Sequence, residues 1–220
     1  MKRKREAEMG SEIRSAIDEL SLMILKVKPT SGGAVEIPTK PFLSLCNLTL
    51  QVLDKIGPTM AVLRQDIHQN IQRLEKLYES DPSLYGNIVE ILKKEASEGN
   101  SRKCLSCSKA FVWLTRSLDF TVTLLQLLVE DFDRKLEKAV DESYNTTLKP
   151  WHGWISSAAY KVALKLVPDT TSLINLLNSN HQNHDILKEQ LQTLISLLLP
   201  ILKEIHNILE TYELDRLKCT

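Results

Sequence analysis

Six residues with polar or aromatic side chains stand out in three short stretches of the chain. They are Asp66, Asn70, Arg73, Trp113, Arg116 and His152. A carboxylate accepts hydrogen bonds, an amide accepts and donates them, and a guanidinium donates them in a planar fork. An indole adds a broad apolar face with a polar edge. Together these groups can hold a molecule that carries hydroxyl and amide groups.

The first three of these residues share one strip of a predicted helix. Asp66, Asn70 and Arg73 follow an i, i+4, i+7 spacing, which places their side chains on one side of the helix. A stripe of apolar side chains runs beside the strip: Leu63, Ile67, Ile71, Leu74 and Leu77. On a helical wheel Asn70 falls inside that stripe, and an unpaired buried amide costs roughly 1–3 kcal/mol. The strip therefore needs internal partners or a bound ligand.

Composition limits the classes of protein to consider. The chain has 220 residues, enough for one domain, or at most two, with a large core. It carries 28 Lys and Arg residues against 28 Asp and Glu residues, so it lacks the positive surplus that nucleic-acid binding needs. A basic run at residues 2–5 is the exception, and it fits a solvated tail, a nuclear signal or a tether to anionic lipid.

The N-terminus and the cysteines indicate the cellular compartment. No segment contains the roughly 18 consecutive apolar residues that span a bilayer, and the charged start lacks the apolar region of a signal peptide. We therefore expect a soluble, intracellular chain whose four cysteines are reduced. Cys104 and Cys107 form a CxxC motif, but no second pair or nearby histidine completes a zinc site. Two cysteines at a helix start are the simpler interpretation, and we expect no metal.

The spacing of Leu and Ile, at intervals of three and four residues, predicts an all-α fold. Breaks rich in Pro, Gly, Asn and Asp divide the chain into about eight helices. The expected ranges are 12–27, 40–56, 59–78, 82–97, 102–129, 133–166, 170–178 and 184–214. The pairs Asp81-Pro82 and Pro168-Asp169 are placed at helix starts, where Pro is tolerated and Asp caps. Pro150 either kinks the helix at 133–166 or begins a new one.

The first 38 residues are expected to form an extension to the main domain. Five apolar residues of the helix at 12–27 lie on one stripe: Ile13, Ile17, Leu20, Ile24 and Val27. Such a stripe predicts that this helix docks on the rest of the chain. A linker at 31–34 follows it. We therefore divide the chain into an extension at 1–38 and a helical domain at 39–220.

Three stretches together resemble one known family. They are Asp66-Ile-His-Gln-Asn70-Ile-Gln-Arg73, Phe111-Val-Trp113-Leu-Thr-Arg116 and Trp151-His152-Gly153-Trp154. In this order and separation they are similar to the glycolipid transfer proteins, in their plant form. The resemblance implies a two-layer all-α domain with a lipid cleft between the layers. It also implies a non-enzymatic protein that carries one sphingolipid with a neutral sugar head, such as glucosylceramide, between membranes.

The resemblance also implies roles for the polar residues. Trp113 is the platform on which a sugar ring stacks, while Asp66, Asn70 and Arg73 bind the sugar hydroxyls. Asp66 also binds the amide N–H of ceramide, and His152 binds the amide carbonyl. Each role has a structural alternative: a core tryptophan, a hydrated or salt-bridged helix flank, and a satisfied structural histidine.

An apolar sheath and a membrane contact complete the implied site. Each methylene of a lipid chain costs roughly 0.8 kcal/mol to expose to water, so a carrier must enclose the chains. The nominated sheath residues are Leu63, Phe120, Leu124, Tyr160, Ala163 and Leu164. Arg116 supports the head group, and Trp154 with Ile155 touches the bilayer, because an indole is stable at head-group depth. Trp151 is expected to be packed.

Three alternatives stay open: a phosphate carrier, an enzyme, and a helical interaction module without a ligand. The ceramide 1-phosphate branch of the same superfamily resembles this chain but has Lys at the Asn70 position and Arg at the Trp113 position; both positions are uncharged here. Asp66 and His152 could serve as acid and base, but no activated nucleophile or phosphate loop accompanies them. We expect a cytoplasmic monomer that contacts membranes transiently and uses no cofactor and no nucleic acid.

Overall fold

The computed structural model describes residues 13–23, 36–56, 61–177 and 184–218, and most of them are helical. Nine helices occur in this part of the chain: α1 (residues 13–23), α2 (Thr39–Ile56), α3 (Ala61–Ser80), α4 (Ile88–Ser97), α5 (Cys107–Glu130), α6 (Leu136–Thr147), α7 (Trp154–Leu164), α8 (Thr170–Leu177) and α9 (His184–Thr211). An isolated β-bridge joins Pro38 to Asn87. The all-α prediction is confirmed. The basic run at 2–5 and the linker at 31–34 lie outside the described residues.

Helix α5 is central to the core. It packs against α2, α3, α4, α6 and α9, and its buried side chains include Leu114 and Leu118. The ring of Phe111 meets Phe42 of α2 edge-on, with the ring centres 5.0 Å apart. Among the described helices, α5 is the one that is long and apolar enough to cross a bilayer, but half of its apolar stretch is buried inside the fold. The core helix of a globular domain has the same properties.

Helix α1 docks on this core, as its apolar stripe predicted. Ile13, Leu20 and Met23 are almost fully buried, and they belong to the same apolar cluster as the other helices. A groove of about 320 Å³ lies between α1 and α2. The last two residues of the predicted stripe, Ile24 and Val27, lie outside the described residues. The division of the chain at residue 38 stays a prediction.

The predicted single helix at 133–166 is wrong, because the structure divides it into α6 and α7. Residues 148–153 form a turn in which the N–H groups of Trp151 and His152 both donate to the Leu148 carbonyl oxygen, at 3.0 and 3.2 Å. Pro150 has no N–H with which to continue α6, and Gly153 precedes the first residue of α7. Pro150 therefore neither kinks one helix nor begins the next, the two expected outcomes, but lies in the turn four residues before α7, and His152 lies in a loop.

Helices α4 and α5 begin six and five residues later than predicted. Helix α4 begins at Ile88 instead of residue 82, because the Asn87 side chain accepts a hydrogen bond from the N–H two residues on, at 3.1 Å. Helix α5 begins at Cys107 instead of residue 102, because the Ser106 hydroxyl accepts one from the N–H three residues on, at 3.0 Å. A side chain that satisfies the first N–H groups decides where a helix starts. Asp169 precedes α8, as predicted.

Candidate functional site

The polar strip of α3, made of Asp66, Asn70 and Arg73, is bonded internally. Asn70 is buried, with 8 % of its surface exposed, as its place on the apolar stripe predicted. Its Nδ2 donates to the Asp66 carbonyl oxygen at 3.1 Å, and its Oδ1 accepts from Arg73 Nη1 at 3.3 Å. The buried amide therefore has partners within the helix, which removes the cost of an unpaired amide.

The Asp66 carboxylate stands at the solvent-exposed rim of this strip. Partial desolvation by the surrounding protein raises the pKa of its carboxyl, and the positive charge of Arg73 opposes that shift. A carboxylate that is reachable from solvent but incompletely hydrated gains from hydrogen-bond donors on a ligand. Asp66 is thus placed to accept such bonds.

The first turn of α5 is fixed against α3 and α4. The Glu95 carboxylate of α4 accepts hydrogen bonds from the first two N–H groups of α5, at 2.8 and 2.7 Å, where a negative charge is favourable. The Cys107 thiol contacts the Arg73 carbonyl oxygen at 3.6 Å. Burial raises the pKa of this thiol to about 11, the environment of a structural cysteine. Within the described residues, no group of three or more His, Cys, Asp and Glu side chains could hold a metal ion.

Three rings and a guanidinium meet where α5 contacts the loop between α6 and α7. The ring centres of Trp113 and His152 are 5.5 Å apart, with a tilt of 33° between the planes. The Arg116 Cζ atom lies 4.8 Å from the Trp113 ring centre and 4.1 Å from the Trp151 ring centre. We call Trp113, Arg116, Trp151 and His152 the aromatic cluster. The structure therefore brings together three residues that the sequence analysis nominated.

Arg116 is the buried member of this cluster, with 4 % of its surface exposed. Its Nη2 donates to the carbonyl oxygen of Asp215 at 3.0 Å. Asp215 belongs to the segment after α9, so the side chain joins three parts of the chain that are far apart in sequence. A buried guanidinium is costly unless hydrogen bonds compensate it, and this bond contributes to that compensation.

His152 connects the aromatic cluster to α6 and α7. Its Nδ1 lies 3.3 Å from the Tyr144 hydroxyl, and the Tyr144 ring stacks on Tyr160 of α7, with centres 3.4 Å apart. The Tyr160 hydroxyl donates to the Asp141 carboxylate at 3.0 Å. Burial lowers the pKa of His152, and the positive charge of Arg116 lowers it further. The imidazole is thus kept neutral, with one nitrogen as donor and the other as acceptor.

Most of the nominated sheath residues are half-buried. This class contains Phe120, Leu124, Tyr160, Ala163 and Leu164. Leu63 differs, because it is 42 % exposed in the first turn of α3, and the buried stripe of that helix begins at Ile67. The ring of Tyr160 is engaged by Tyr144. The sheath as a whole stays a prediction.

Helix α7 is apolar, yet none of its residues is buried. Trp154 is 82 % exposed and Ile155 is 65 % exposed, and Val162 on the same helix also faces solvent. Single exposed apolar side chains are ordinary, whereas several on one short helix indicate an interaction surface. The nomination of Trp154 and Ile155 as membrane contacts is compatible with this exposure and stays a prediction.

The spacing of side chains in the sequence does not predict two contacts of the site. Tyr144 reaches His152 because the chain turns back after α6, and that turn lies inside the stretch expected to be one helix. Asp215 contributes a backbone carbonyl, which every residue type possesses. The break at Pro150 was the available signal for the first contact, and no sequence signal existed for the second.

Comparison with known proteins gives related sequences over most of the chain. The family model for the glycolipid transfer protein (GLTP) matches residues 37–179. Glycolipid transfer protein 3 of Arabidopsis thaliana is 56 % identical over 214 residues, which cover 94 % of this chain and 92 % of that protein. Glycolipid transfer protein 2 of the same plant is 54 % identical over 221 residues, which cover 99 % of each.

Solved structures share the arrangement of helices. A structure of FAPP2, which selects simple glycosphingolipids using the GLTP fold, has a TM-score of 0.77 at 22 % identity and covers 84 % of this chain and 91 % of that one. A mutant of Arabidopsis ACD11 with bound C12 ceramide-1-phosphate has a TM-score of 0.80 at 18 % identity, over 92 % and 96 % of the two chains. These identities show the shared fold alone. The family model and the two plant relatives go further, and the chain belongs to the glycolipid transfer protein family.

Proposed function

We propose that the protein binds one sphingolipid with a neutral sugar head, such as glucosylceramide, and transfers it between membranes without altering it. The observation that carries the proposal is the aromatic cluster, in which a half-exposed Trp113 is held by Arg116 and His152. Trp113 lies on α5, which packs against the α3 helix that carries the polar strip. An indole face is a suitable surface for the apolar C–H face of a sugar ring.

The polar strip offers the groups that sugar hydroxyls need. The Asp66 carboxylate accepts hydrogen bonds with two oxygens, so it can bind a hydroxyl and the amide N–H of ceramide together. Arg73 donates to Asn70, and a guanidinium has five N–H donors. Arg73 can therefore donate to a sugar hydroxyl while it keeps that bond. The polar strip would bind the hydroxyls of the head group, and the sugar ring would lie between the strip and Trp113.

His152 would bind the amide carbonyl of ceramide. A carbonyl needs a donor, which the imidazole supplies if its proton is on Nε2. The Tyr144 hydroxyl lies 3.3 Å from both His152 Nδ1 and the Ser157 hydroxyl, and it can then donate its proton to Nδ1. The lowered pKa of His152 favours this arrangement, because a protonated ring would have no acceptor nitrogen for Tyr144.

Ceramide 1-phosphate is the second candidate cargo. The ACD11 structure that contains it shares the fold of this chain. A phosphate is bound best by several cationic groups at once. Arg116 is buried against two indoles and a backbone carbonyl, while the Asn70 and Trp113 positions carry no charge. Of Arg73 and Arg116, only Arg73 is then free of such burial and able to reach a head group. A single cationic group favours the sugar lipid over the phosphate lipid.

The remaining parts of the proposal concern the lipid chains and the membrane. The chains would lie among the half-buried apolar side chains of α5 and α7, and α7 would touch the bilayer with its exposed indole. The protein would work as a cytoplasmic monomer, peripheral to membranes and without a cofactor. The lipid would be released unchanged, so mass spectrometry of the transferred lipid should give the mass that was loaded.

Transfer of labelled glucosylceramide and ceramide 1-phosphate between vesicles tests the function and its site. We expect the wild type to transfer glucosylceramide, and Asp66→Val to lose that transfer because the head and amide lose their acceptor. Glu79→Val is the matched control, since it removes another exposed carboxylate of α3. Transfer of ceramide 1-phosphate alone would make the second candidate correct. Transfer of neither lipid, or an unchanged rate in Asp66→Val, would contradict the proposal.

A further inference from the structure

Arg116 combines a positive charge with almost complete burial inside the proposed site. With 4 % of its surface exposed, the guanidinium cannot meet a head group at the solvent-exposed rim unless it leaves its present contacts. Those contacts are two indole rings and the Asp215 carbonyl oxygen. The Arg116 side chain is therefore engaged by the protein itself.

We infer that Arg116 is a positioning residue, which fixes the Trp113 platform and the loop that carries His152 by joining both to the C-terminal segment, and that it does not bind the lipid. This role rests on the proposed function of the site. It replaces the direct support of the head group that the family resemblance implied for Arg116.

The geometry suits a guanidinium and not another cation. Distances of 4.8 and 4.1 Å from Cζ to the ring centres of Trp113 and Trp151 are within the range of cation–π contacts. A planar guanidinium can lie along an aromatic face and still donate hydrogen bonds in its own plane, which an ammonium group cannot do. One side chain thus orients two indoles and keeps a bond to Asp215.

The C-terminal segment is an ordered anchor for this side chain. Leu214, next to Asp215, is buried, and its N–H donates to the Leu209 carbonyl oxygen at 2.8 Å. The segment therefore returns to α9 and presents the Asp215 carbonyl in a fixed place. Arg102 binds the same segment, through a 3.0 Å bond from its Nη2 to the Glu213 carbonyl oxygen.

Arg116→Lys and Arg102→Lys form a matched pair for the test. Both remove a guanidinium that binds a backbone carbonyl of the C-terminal segment, but among the described contacts only that of Arg116 includes aromatic rings. We expect Arg116→Lys to lower glucosylceramide transfer at least about tenfold because a lysine cannot hold both indoles. Arg102→Lys should transfer at the wild-type rate.

Measurements on the lipid-free protein separate positioning from ligand binding. We expect Arg116→Lys to change the near-ultraviolet circular dichroism of the tryptophans and to leave the far-ultraviolet spectrum intact. A residue that acts only by touching lipid would leave the lipid-free tryptophan signal unchanged. Arg116→Met, which also removes the charge facing the imidazole, should raise the pKa of His152 in NMR titration, whereas Arg116→Lys should not.

Several results would overturn the inference. Wild-type transfer by Arg116→Lys, or an unchanged tryptophan signal in its lipid-free form, would exclude a positioning role. If the Arg116 variants do not fold, Trp151→Leu keeps the arginine and removes one ring, and it should lower transfer about threefold and alter the His152 resonances. Unchanged transfer and resonances in that variant would also exclude the role. If the wild type itself moves no glucosylceramide, the proposed function fails. The near-ultraviolet spectra of the lipid-free proteins would still show whether Arg116 positions the tryptophans.

Discussion

Helices α5 and α7 both carry residues of the proposed site, but the protein holds them in different ways. Helix α5 packs against five other helices and buries residues along its whole length. Helix α7 is short and apolar and has no buried residue. A stacked tyrosine pair and the Tyr160 hydrogen bond to Asp141 attach it to α6.

The difference corresponds to what each half of a sphingolipid requires. A sugar and an amide are recognised by directional hydrogen bonds and by a flat stacking face, which lose strength when the partners shift. Lipid chains and a bilayer are held by apolar contact, which has no preferred direction. A firmly packed helix suits the first task, and a lightly attached apolar helix suits the second.

The largest expected contrast is in folding stability. Phe111→Ala removes a fully buried ring of α5 and should lower the free energy of unfolding by about 3–5 kcal/mol. Val162→Ala removes exposed methyl groups of α7 and should change it by less than about 0.5 kcal/mol. Denaturant unfolding measures both values. Equal losses would mean that α7 is held by the core as firmly as α5.

Trp113→Ala should abolish head-group recognition while the fold survives. The ring is half-exposed, so its loss removes the stacking face without opening the centre of the core. We expect glucosylceramide transfer to fall at least about tenfold, which corresponds to roughly 1.4 kcal/mol of binding free energy. Trp113→Phe, which keeps a smaller ring, should retain part of the activity. Loss of helical structure in Trp113→Ala would instead make Trp113 a core residue.

Trp154→Ala should affect membrane contact and leave lipid recognition intact. The exposed indole of α7 favours the head-group layer, and its removal should weaken binding to vesicles about fivefold, measured by sedimentation. Leu105→Ala is the control, because Leu105 is equally apolar and exposed but lies before α5. Similar losses of vesicle binding in both variants would show that any exposed apolar side chain contributes, and would contradict a membrane contact confined to α7.

The smallest expected effect is on the pH dependence of folding stability. His206 and His152 both contact α5, and their contributions to the free energy of unfolding should change with pH in opposite directions. The Asp119 carboxylate, 3.0 Å from His206 Nε2, raises the pKa of His206 above its ordinary value of 6.5. This pair stabilises the fold below about pH 6.5 and loses its effect as the pH rises through the raised pKa. Because His206 is half-exposed, the contribution should be under about 1 kcal/mol. Burial lowers the pKa of His152, so its contribution is present above pH 6.5 and is lost as the pH falls.

The unfolding free energies of His206→Gln and His152→Gln, measured from about pH 5 to pH 8, test these signs. The deficit of His206→Gln should be largest at the acidic end and vanish at the alkaline end. The deficit of His152→Gln should follow the reverse course. Deficits that change in the same direction would show that the two rings have similar environments.

The helices and the polar strip could be predicted because they depend on local spacing. The i, i+4, i+7 spacing of Asp66, Asn70 and Arg73 fixes their common side, and the apolar neighbours fix how deeply Asn70 lies. The turn at 148–153 was harder to place, because the apolar pattern continues on both sides of Pro150. The starts of α4 and α5 depended on which side chain accepts hydrogen bonds from the first N–H groups of the helix. Several nearby residues could have served as that cap, so the sequence did not single out Asn87 and Ser106.

By itself, the sequence determined that this is an all-α protein, that α1 docks through its apolar stripe, and which residue types are available to bind a head group. These properties follow from the period of the helix and from the chemistry of each side chain. The i, i+3 spacing also puts Arg116 on the same side of α5 as Trp113. The tertiary structure alone decided that Arg116 also contacts Trp151 and the Asp215 carbonyl, and that Tyr144 contacts His152. These contacts depend on the turn after α6 or on a backbone atom, neither of which leaves a pattern of side chains in the sequence.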